Sequence, residues 1–296
     1  MLPYPNQALQ QHLFVLARSD TPREAAAAAS AQLLDGIRRD EMAPYYRLLL
    51  DDAALRRVVP QDKGLLEELQ RKNDAEFARL DEAQRQAEES EGDLELHTVL
   101  KQRAAYMARI GDKPRALAAH QEALEKATGL GSKIDLTLTK IRLGLFFGDA
   151  ELTQASMASA AQLIEEGGDW DRRNRLTAYR AVYLASVRDF SEAARLFFQA
   201  LSTFTATELI DYEDFVKLTV LMGMVTFERR DLKKLMESPE VLGMIDEIPH
   251  LRTFTSSLYN SEYAAFFRAL ADVEQTHLLP SRILARHAQY LSLIHI

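Results

Sequence analysis

Apolar residues along most of the chain recur every three or four positions, which is the period of an amphipathic helix. From residue 101 onward these stretches come in pairs, and a short break separates the two helices of each pair. The predicted breaks end at Asp112, Asp149, Asp189, Asp231 and Asp272, spaced 37, 40, 42 and 41 residues apart. A period near 40 residues with two helices per unit is typical of an α-solenoid, here of tetratricopeptide-like helix pairs.

Aspartate suits each break because its carboxylate accepts hydrogen bonds from the free amides of the next helix. Asp189 and Glu192 have the spacing of a capping box, and Pro114 fits the first turn of its helix. Small residues at facing positions predict close helix pairs. The chain has only 12 Gly and 9 Pro, which also favours an all-α fold over a sheet with many turns.

Residues 61–100 carry twelve acidic and five basic side chains, which is most of the net charge of −8. The pattern predicts one long helix between Gly64 and Gly92, with a thin apolar stripe. Its apolar positions are Leu66, Leu69, Phe77, Leu80 and Ala87, interrupted by Asn73 and Gln84. The helix is interpreted either as a solvated surface helix along a larger body or as an arm that docks a partner helix.

The predicted organisation has four parts. Residues 1–60 form an N-terminal helical segment, residues 61–100 the acidic helix and its connection, and residues 101–275 the helical-repeat solenoid. Residues 276–296 are interpreted as the truncated start of a C-terminal domain. The last six residues resemble a translated sequencing adapter and are interpreted as an artefact.

Composition excludes several classes of protein. The chain has no Cys, which excludes disulfides and thiolate chemistry. No apolar run is long enough to span a bilayer, and the acidic balance disfavours broad nucleic-acid binding. We therefore expect a protein of the cytoplasm and nucleus without membrane or nucleic-acid partners.

Candidate chemistry is sparse. The seven His residues form no metal-protease motif, so no metal site is predicted. Residues 129–133 have a faint likeness to a phosphate loop, but the Lys position is wrong, and Gly as the C-cap of a helix is favoured. No nucleophile–base constellation is present, and we predict no enzyme activity and no cofactor.

The most informative run spans residues 165–174. Gly167 or Gly168 is expected to take a left-handed conformation at the end of one helix, and Asp169 to cap the next. The candidate interface residues are Asp169, Trp170, Asp171, Arg172 and Arg173. Trp170, the only Trp, is interpreted either as packed between repeats or as an anchor for a partner, since Trp and Arg are enriched at interface hot spots.

Several stretches resemble a family of non-catalytic lid subunits of the 26S proteasome regulatory particle, that of the seventh non-ATPase subunit. The most specific is the run Leu163–Leu176, which contains Gly167-Gly168-Asp169-Trp170-Asp171-Arg172-Arg173. Others are Met42-Ala43-Pro44-Tyr45-Tyr46, Arg109-Ile110-Gly111-Asp112-Lys113 and Ile141-Arg142-Leu143-Gly144-Leu145-Phe146, with residues 187–190, 202–205, 227–229 and 273–275.

The resemblance implies a helical-repeat scaffold without an active site, acting in ubiquitin-dependent protein degradation. Its implied partners are other lid subunits and the ATPase base of the proteasome. Two alternatives stay open: a signalosome subunit of the same family, or an initiation-factor-like scaffold associated with RNA. Family members end in a winged helix, and the expectation for this chain is that this domain is missing.

Overall fold

The computed structural model describes residues 2–19, 21–90 and 92–276. These residues form fifteen α-helices and one short 3₁₀ helix at Leu55–Arg57, without a β-strand among them. The helices are Ala8–Ala17 (α1), Arg23–Arg39 (α2), Ala43–Asp51 (α3), Lys63–Glu89 (α4), Asp93–Arg109 (α5), Lys113–Lys126 (α6), Leu130–Phe147 (α7), Ala150–Glu165 (α8), Trp170–Ser186 (α9), Phe190–Leu201 (α10), Tyr212–Thr226 (α11), Arg229–Met236 (α12), Pro239–Met244 (α13), Leu251–Tyr259 (α14) and Tyr263–Thr276 (α15).

The chain divides into two compact units, Met1–Asp169 and Trp170–Ile296. In the first unit α5 packs on α6 and α7 packs on α8, while α6 also contacts α7. In the second unit α9 packs on α10, α10 on α11, and α14 on α15. Consecutive helices that pair in this way confirm the predicted all-α solenoid class. The predicted truncation and artefact at the C-terminus lie outside the described residues.

Three of the predicted breaks are capped as expected. The carboxylates of Asp112, Asp149 and Asp189 each accept a hydrogen bond from the backbone amide three residues on, at 3.2, 2.9 and 3.3 Å. Pro114 is the second residue of α6, where its missing amide proton is not needed. The capping box at Asp189 is only half formed, because the Glu192 carboxylate pairs with Arg195 instead of reaching back.

The two later breaks were predicted at the wrong residues. The chain at Phe227 and Glu228 is extended, so α12 begins at Arg229 and Asp231 lies in its first turn, bonded to Lys234 at 2.6 Å. Asp272 lies inside α15, and the break of that unit is at Asn260–Glu262. There Ser261 has a φ of +62°, so the chain turns without the expected Asp or Gly.

The acidic region forms α4, which packs on α3 and α5 along the body of the first unit. Its buried stripe differs from the predicted one, since Leu65 rather than Leu66 is buried and Asn73 belongs to the stripe. Asn73 Nδ2 donates to the Tyr106 hydroxyl at 2.8 Å and to the Glu41 carbonyl at 2.9 Å. A polar residue is tolerated in the stripe because both protons of its buried amide nitrogen are donated to hydrogen bonds.

The predicted close helix pairs are present. A Cβ added to Gly144 on α7 would lie 2.3 Å from Oγ1 of Thr153 on α8, so only glycine permits this approach. The glycine-rich run at residues 129–133 was interpreted wrongly as a C-cap. Gly129 precedes the first residue of α7 and α6 ends at Lys126, because Ala127 is already extended.

Candidate interaction site

The corner before α9 contains two glycines, and each is needed for a different structural reason. Gly167 has a φ of +138°, which side chains rarely allow, and its amide donates to the Ile164 carbonyl at 3.3 Å. A Cβ on Gly168 would lie 2.8 Å from Ile164 Cα, so any side chain at this position would clash with the end of α8. The expected positive-φ glycine at the end of α8 is therefore Gly167, directly after the C-cap residue Glu166.

Trp170 is the first residue of α9, and 64% of it is exposed. The interpretation of Trp170 as packed between repeats is therefore wrong. It begins the helix on the side facing away from the buried residues Leu176 and Tyr179, so its ring points to solvent. An exposed Trp is unusual because its large apolar surface is normally buried.

Asp171, in the first turn of α9, is held by hydrogen bonds from two side chains. Its carboxylate accepts hydrogen bonds from Arg175 Nε and from Thr205 Oγ1, each at 2.7 Å. Partial burial alone would raise the pKa of Asp171, but the hydrogen bonds from Arg175 and Thr205 outweigh burial and hold this pKa below its ordinary value. The carboxylate also lies near the positive end of the helix dipole, where an anion is stabilised.

One helical turn after Asp171, Arg175 forms an ion pair that is largely shielded from solvent. Arg175 Nη1 donates to Oε2 of Glu208 at 2.5 Å, and Tyr179 donates its hydroxyl proton to Oε1 of the same carboxylate at 3.0 Å. Glu208 belongs to the segment between α10 and α11, and only 3% of its side chain is exposed. Both carboxylate oxygens are satisfied, as a buried charge requires. The first two turns of α9 are thus fastened to this segment.

The remaining candidate residues have mixed environments. Asp169 and Arg173 are exposed, whereas Arg172 is half-buried. The sequence did not identify Arg175, Thr205 and Glu208 as parts of this site. In the sequence, Arg175 is one of several Arg residues in a basic run, and nothing distinguishes it from the others. Glu208 lies 33 positions away, and no local sequence pattern links it to this site.

Two of the histidines make hydrogen-bond contacts within the fold. His120 is buried, which lowers its pKa to about 4, and its Nδ1 lies 2.7 Å from the Ala116 carbonyl oxygen. His97 Nε2 lies 3.0 Å from Ser132 Oγ. Within the described ranges, no three His, Asp or Glu side chains cluster as metal ligands would. The helices described there also include none that is long and apolar enough to cross a membrane.

An open groove of about 530 Å³ lies between α4, α5 and α6. Its lining includes the apolar side chains of Phe77 and Met107 and the guanidinium-bearing side chains of Arg103 and Arg115. Arg103 is hydrogen-bonded to Asp81, and the Arg115 guanidinium lies 5.3 Å from the centre of the Phe77 ring. Both cations are thus engaged by other residues that line the groove.

Several stretches that carry the family resemblance meet in the core of the first unit. A Cβ on Gly111 would lie 2.7 Å from Tyr45 Cβ, and the Tyr45 and Phe146 rings are 4.9 Å apart. Arg109 Nη2 donates to Glu41 Oε2 at 2.6 Å, which fastens α5 to the turn before α3. These stretches are therefore packing elements, whereas Trp170, in the most specific of the matching runs, is exposed.

The structure defines a helical-repeat protein whose distinctive surface feature is an exposed Trp at a braced corner. Comparison with known families gives a more specific result. The family model of "26S proteasome subunit RPN7" matches residues 62–235, and the chain belongs to this family.

Curated relatives agree with this assignment. The "26S proteasome non-ATPase regulatory subunit 6 homolog" of Arabidopsis thaliana is 38% identical over 90% of this chain and 68% of its own length. The "26S proteasome regulatory subunit rpn7" of Schizosaccharomyces pombe is 37% identical, over 87% and 66%. "26S proteasome regulatory subunit RPN7" of Saccharomyces cerevisiae is 35% identical, over 97% and 72%. The chain thus spans about two thirds of the length of these relatives.

Proposed function

We propose that this protein is a non-catalytic scaffold subunit of the lid of the 26S proteasome regulatory particle. In this role it supports ubiquitin-dependent degradation in the cytoplasm and nucleus through contacts with other lid subunits and with the ATPase base. Membership of the family, whose members bear the names of regulatory, non-ATPase proteasome subunits, is the observation that carries the proposal.

The corner at Trp170 supplies the contact surface in this proposal. A large aromatic side chain that is 64% exposed on a rigid turn loses little conformational freedom when a partner covers it. Because Asp171 and Arg175 brace the turn from below, the ring is held in place before binding. Preorganised Trp side chains of this kind are typical hot spots of protein–protein interfaces.

Affinity purification of the tagged full-length chain from cells, followed by mass spectrometry, tests the function. We expect proteasome lid and base subunits to be recovered with the chain. Recovery of signalosome subunits or of ribosomal initiation factors instead would contradict the proposal and support one of the two alternatives. The purified protein should also lack ATPase and deubiquitinase turnover, and turnover that a point substitution in this chain abolishes would contradict the non-catalytic role.

The corner itself is tested with Trp170→Ala. Because the ring is mostly exposed, we expect the free energy of unfolding to change by less than about 1 kcal/mol while recovery of proteasome subunits falls. Leu94→Ala is the matched control, since Leu94 is another apolar side chain that is 77% exposed, at the start of α5. Equal recovery of proteasome subunits with the two variants would show that Trp170 is not part of the interface.

A further inference from the structure

A short segment before α1, residues 2–7, lies against α7 of the first unit. Arg142 of α7 holds it, since Nε donates to the Tyr4 carbonyl at 3.0 Å and Nη2 donates to the Leu2 carbonyl at 2.9 Å. In the opposite direction, Gln7 Nε2 donates to the Arg142 carbonyl at 3.0 Å. These bonds join residues 135 to 140 positions apart, and they connect the chain before α1 to a helix of the repeats.

The side chain that makes this connection is charged and almost fully buried. Only 1% of Arg142 is exposed, and an Arg is rarely buried to this degree unless its donors are used. Nη2 also donates to Thr139 Oγ1 at 3.0 Å, so the guanidinium divides its donors between its own helix and residues 2–7. The planar fork of an Arg can reach two carbonyls of one segment, which the single ammonium group of a Lys does less well.

Residues 2–7 have little structure of their own. They form no helix or strand, and Pro3 and Pro5 have no amide proton to donate. Leu2 and Pro3 are exposed, and the side chain of Tyr4 packs on the apolar core of the first unit but stays half-buried. Segments with little buried surface and few backbone bonds open at a lower free energy than the core of the same protein.

The helix beneath this segment is much more firmly packed. Ile141 and Leu143, on either side of Arg142, are fully buried, and α7 packs on α8 and contacts α6. When residues 2–7 leave α7, water can solvate the freed guanidinium, so opening does not leave a charge in an apolar site. The open and closed states therefore differ mainly in the contacts of residues 2–7, and both keep the packing of the repeat helices.

We propose that residues 2–7 are a strap that opens and closes over α7 while the repeat helices stay folded, and that Arg142 is the group that holds the strap closed. In the closed state the guanidinium binds the carbonyls of Leu2 and Tyr4, and Gln7 fastens the end of the strap next to α1. In the open state Arg142 and the core surface under Tyr4 are accessible from solvent. This change belongs to the first unit alone, so it does not depend on the proposed function.

A spin label on the strap tests the inference in the full-length chain. The chain has no Cys, so Leu2→Cys provides a single thiol for a nitroxide. The Leu2 side chain is exposed while its carbonyl is bound to Arg142, so the label reports motion of the backbone without replacing a packed group. Electron paramagnetic resonance should show a slow component from closed chains and a fast component from open chains. We expect the fast component to grow on heating at temperatures below the melting transition seen by circular dichroism.

Three substitutions in the labelled chain change the contacts of the strap. Arg142→Met keeps an apolar stem but removes the guanidinium, and we expect the ratio of fast to slow component to rise by about fivefold or more. Gln7→Ala removes only the bond to the Arg142 carbonyl and should raise the ratio by about twofold. Arg142→Lys keeps one charged donor group and should lie between the wild type and Arg142→Met.

The matched control carries the label elsewhere in the first unit. Leu94 is 77% exposed at the start of α5, so Leu94→Cys gives a second exposed labelling position. Its spectrum should not respond to Arg142→Met, because α5 is not part of the strap. Circular dichroism shows whether each variant is folded.

The outcomes distinguish a strap from a fixed part of the core. A ratio that rises at position 2 and not at position 94, in a folded chain, supports the strap. An unchanged ratio in folded Arg142→Met, or an equal rise at position 94, overturns the inference. If Arg142→Met does not fold, the heating series of the wild type and of Gln7→Ala decides. A fast component that appears in both only together with global unfolding would contradict the strap.

Discussion

Arg175 and Glu208 form the ion pair that fastens the start of α9 to the segment between α10 and α11, with 2.5 Å between Nη1 and Oε2. Only 16% of the Arg175 side chain and 3% of the Glu208 side chain are exposed. Water therefore screens the pair poorly, and each charge depends on the other to offset its loss of hydration. Arg175 also donates to Asp171, the residue that directly follows Trp170.

Glu208→Ala is expected to lower the free energy of unfolding by about 3 kcal/mol, because it leaves the Arg175 charge partly buried without this carboxylate. Urea denaturation measures the loss. Fluorescence anisotropy of Trp170, the only Trp in the chain, should fall in the folded variant as the turn loosens. Glu192→Ala is the control, since its pair with Arg195 is exposed and should contribute little. Similar losses for the two variants would mean that the buried pair is no more important than a surface pair.

The contrast between Asp171 and Glu208 shows which parts of this site the sequence could predict. Asp171 follows a glycine corner and precedes a helix, so local rules indicate its place near the helix dipole. Glu208 belongs to an irregular segment and reaches the site only through tertiary packing. The position of Trp170 could be predicted in part. The sequence placed it at a helix start but did not show which side of that helix faces solvent.

Gly111→Ala is expected to destabilise the protein by about 2–4 kcal/mol. Gly111 has a φ of +72°, and a Cβ there would also lie 2.7 Å from Tyr45 Cβ, so backbone strain and a steric clash combine. Gly148→Ala separates the two effects. It has a φ of +66° but nothing within 4 Å of the added Cβ, so it should cost only about 1 kcal/mol. Equal unfolding free energies for the two variants would exclude a role for the Tyr45 contact.

The turns between paired helices explain why the repeat was predicted well in one region and poorly in another. Gly111 and Gly148 give the positive φ at two breaks, and an Asp follows each of them, so both breaks carry a sequence signal. Arg188 and Ser261 adopt the same backbone region with φ of +73° and +62°. The break at Ser261 lacks both Gly and Asp, and the pattern was therefore assigned to Asp272, ten residues too late.

Ser261→Gly should stabilise the protein by about 0.5–1 kcal/mol. A side chain is strained at a φ of +62°, and glycine removes this strain at an exposed position where no close packing is lost. The change in midpoint of urea denaturation, at constant slope, measures the gain. Ser191→Gly serves as the control, because Ser191 lies in the first turn of α10, where glycine should destabilise. A loss of stability in both variants would contradict strain at Ser261.

His120 should make the stability of the first unit sensitive to pH in a defined window. Burial lowers its pKa from 6.5 to about 4, and the nearby Arg142 charge acts in the same direction. Above pH 6.5 the residue is neutral in both the folded and the unfolded chain, so it adds no pH dependence. Between pH 6.5 and 4 the unfolded chain takes up a proton that the folded chain resists, and the stability therefore falls as the pH falls.

A shift of this size corresponds to about 3 kcal/mol lost by pH 4, at 1.36 kcal/mol per pH unit. Asp149, whose pKa is held low by its hydrogen bond from Lys113, loses its contribution only at still lower pH. His120→Gln isolates the histidine, because the Gln amide can donate to the Ala116 carbonyl but does not titrate. Unfolding free energies measured at pH 7, 6, 5 and 4.5 should fall more steeply for the wild type than for His120→Gln, and parallel pH profiles would show that His120 is not the titrating group.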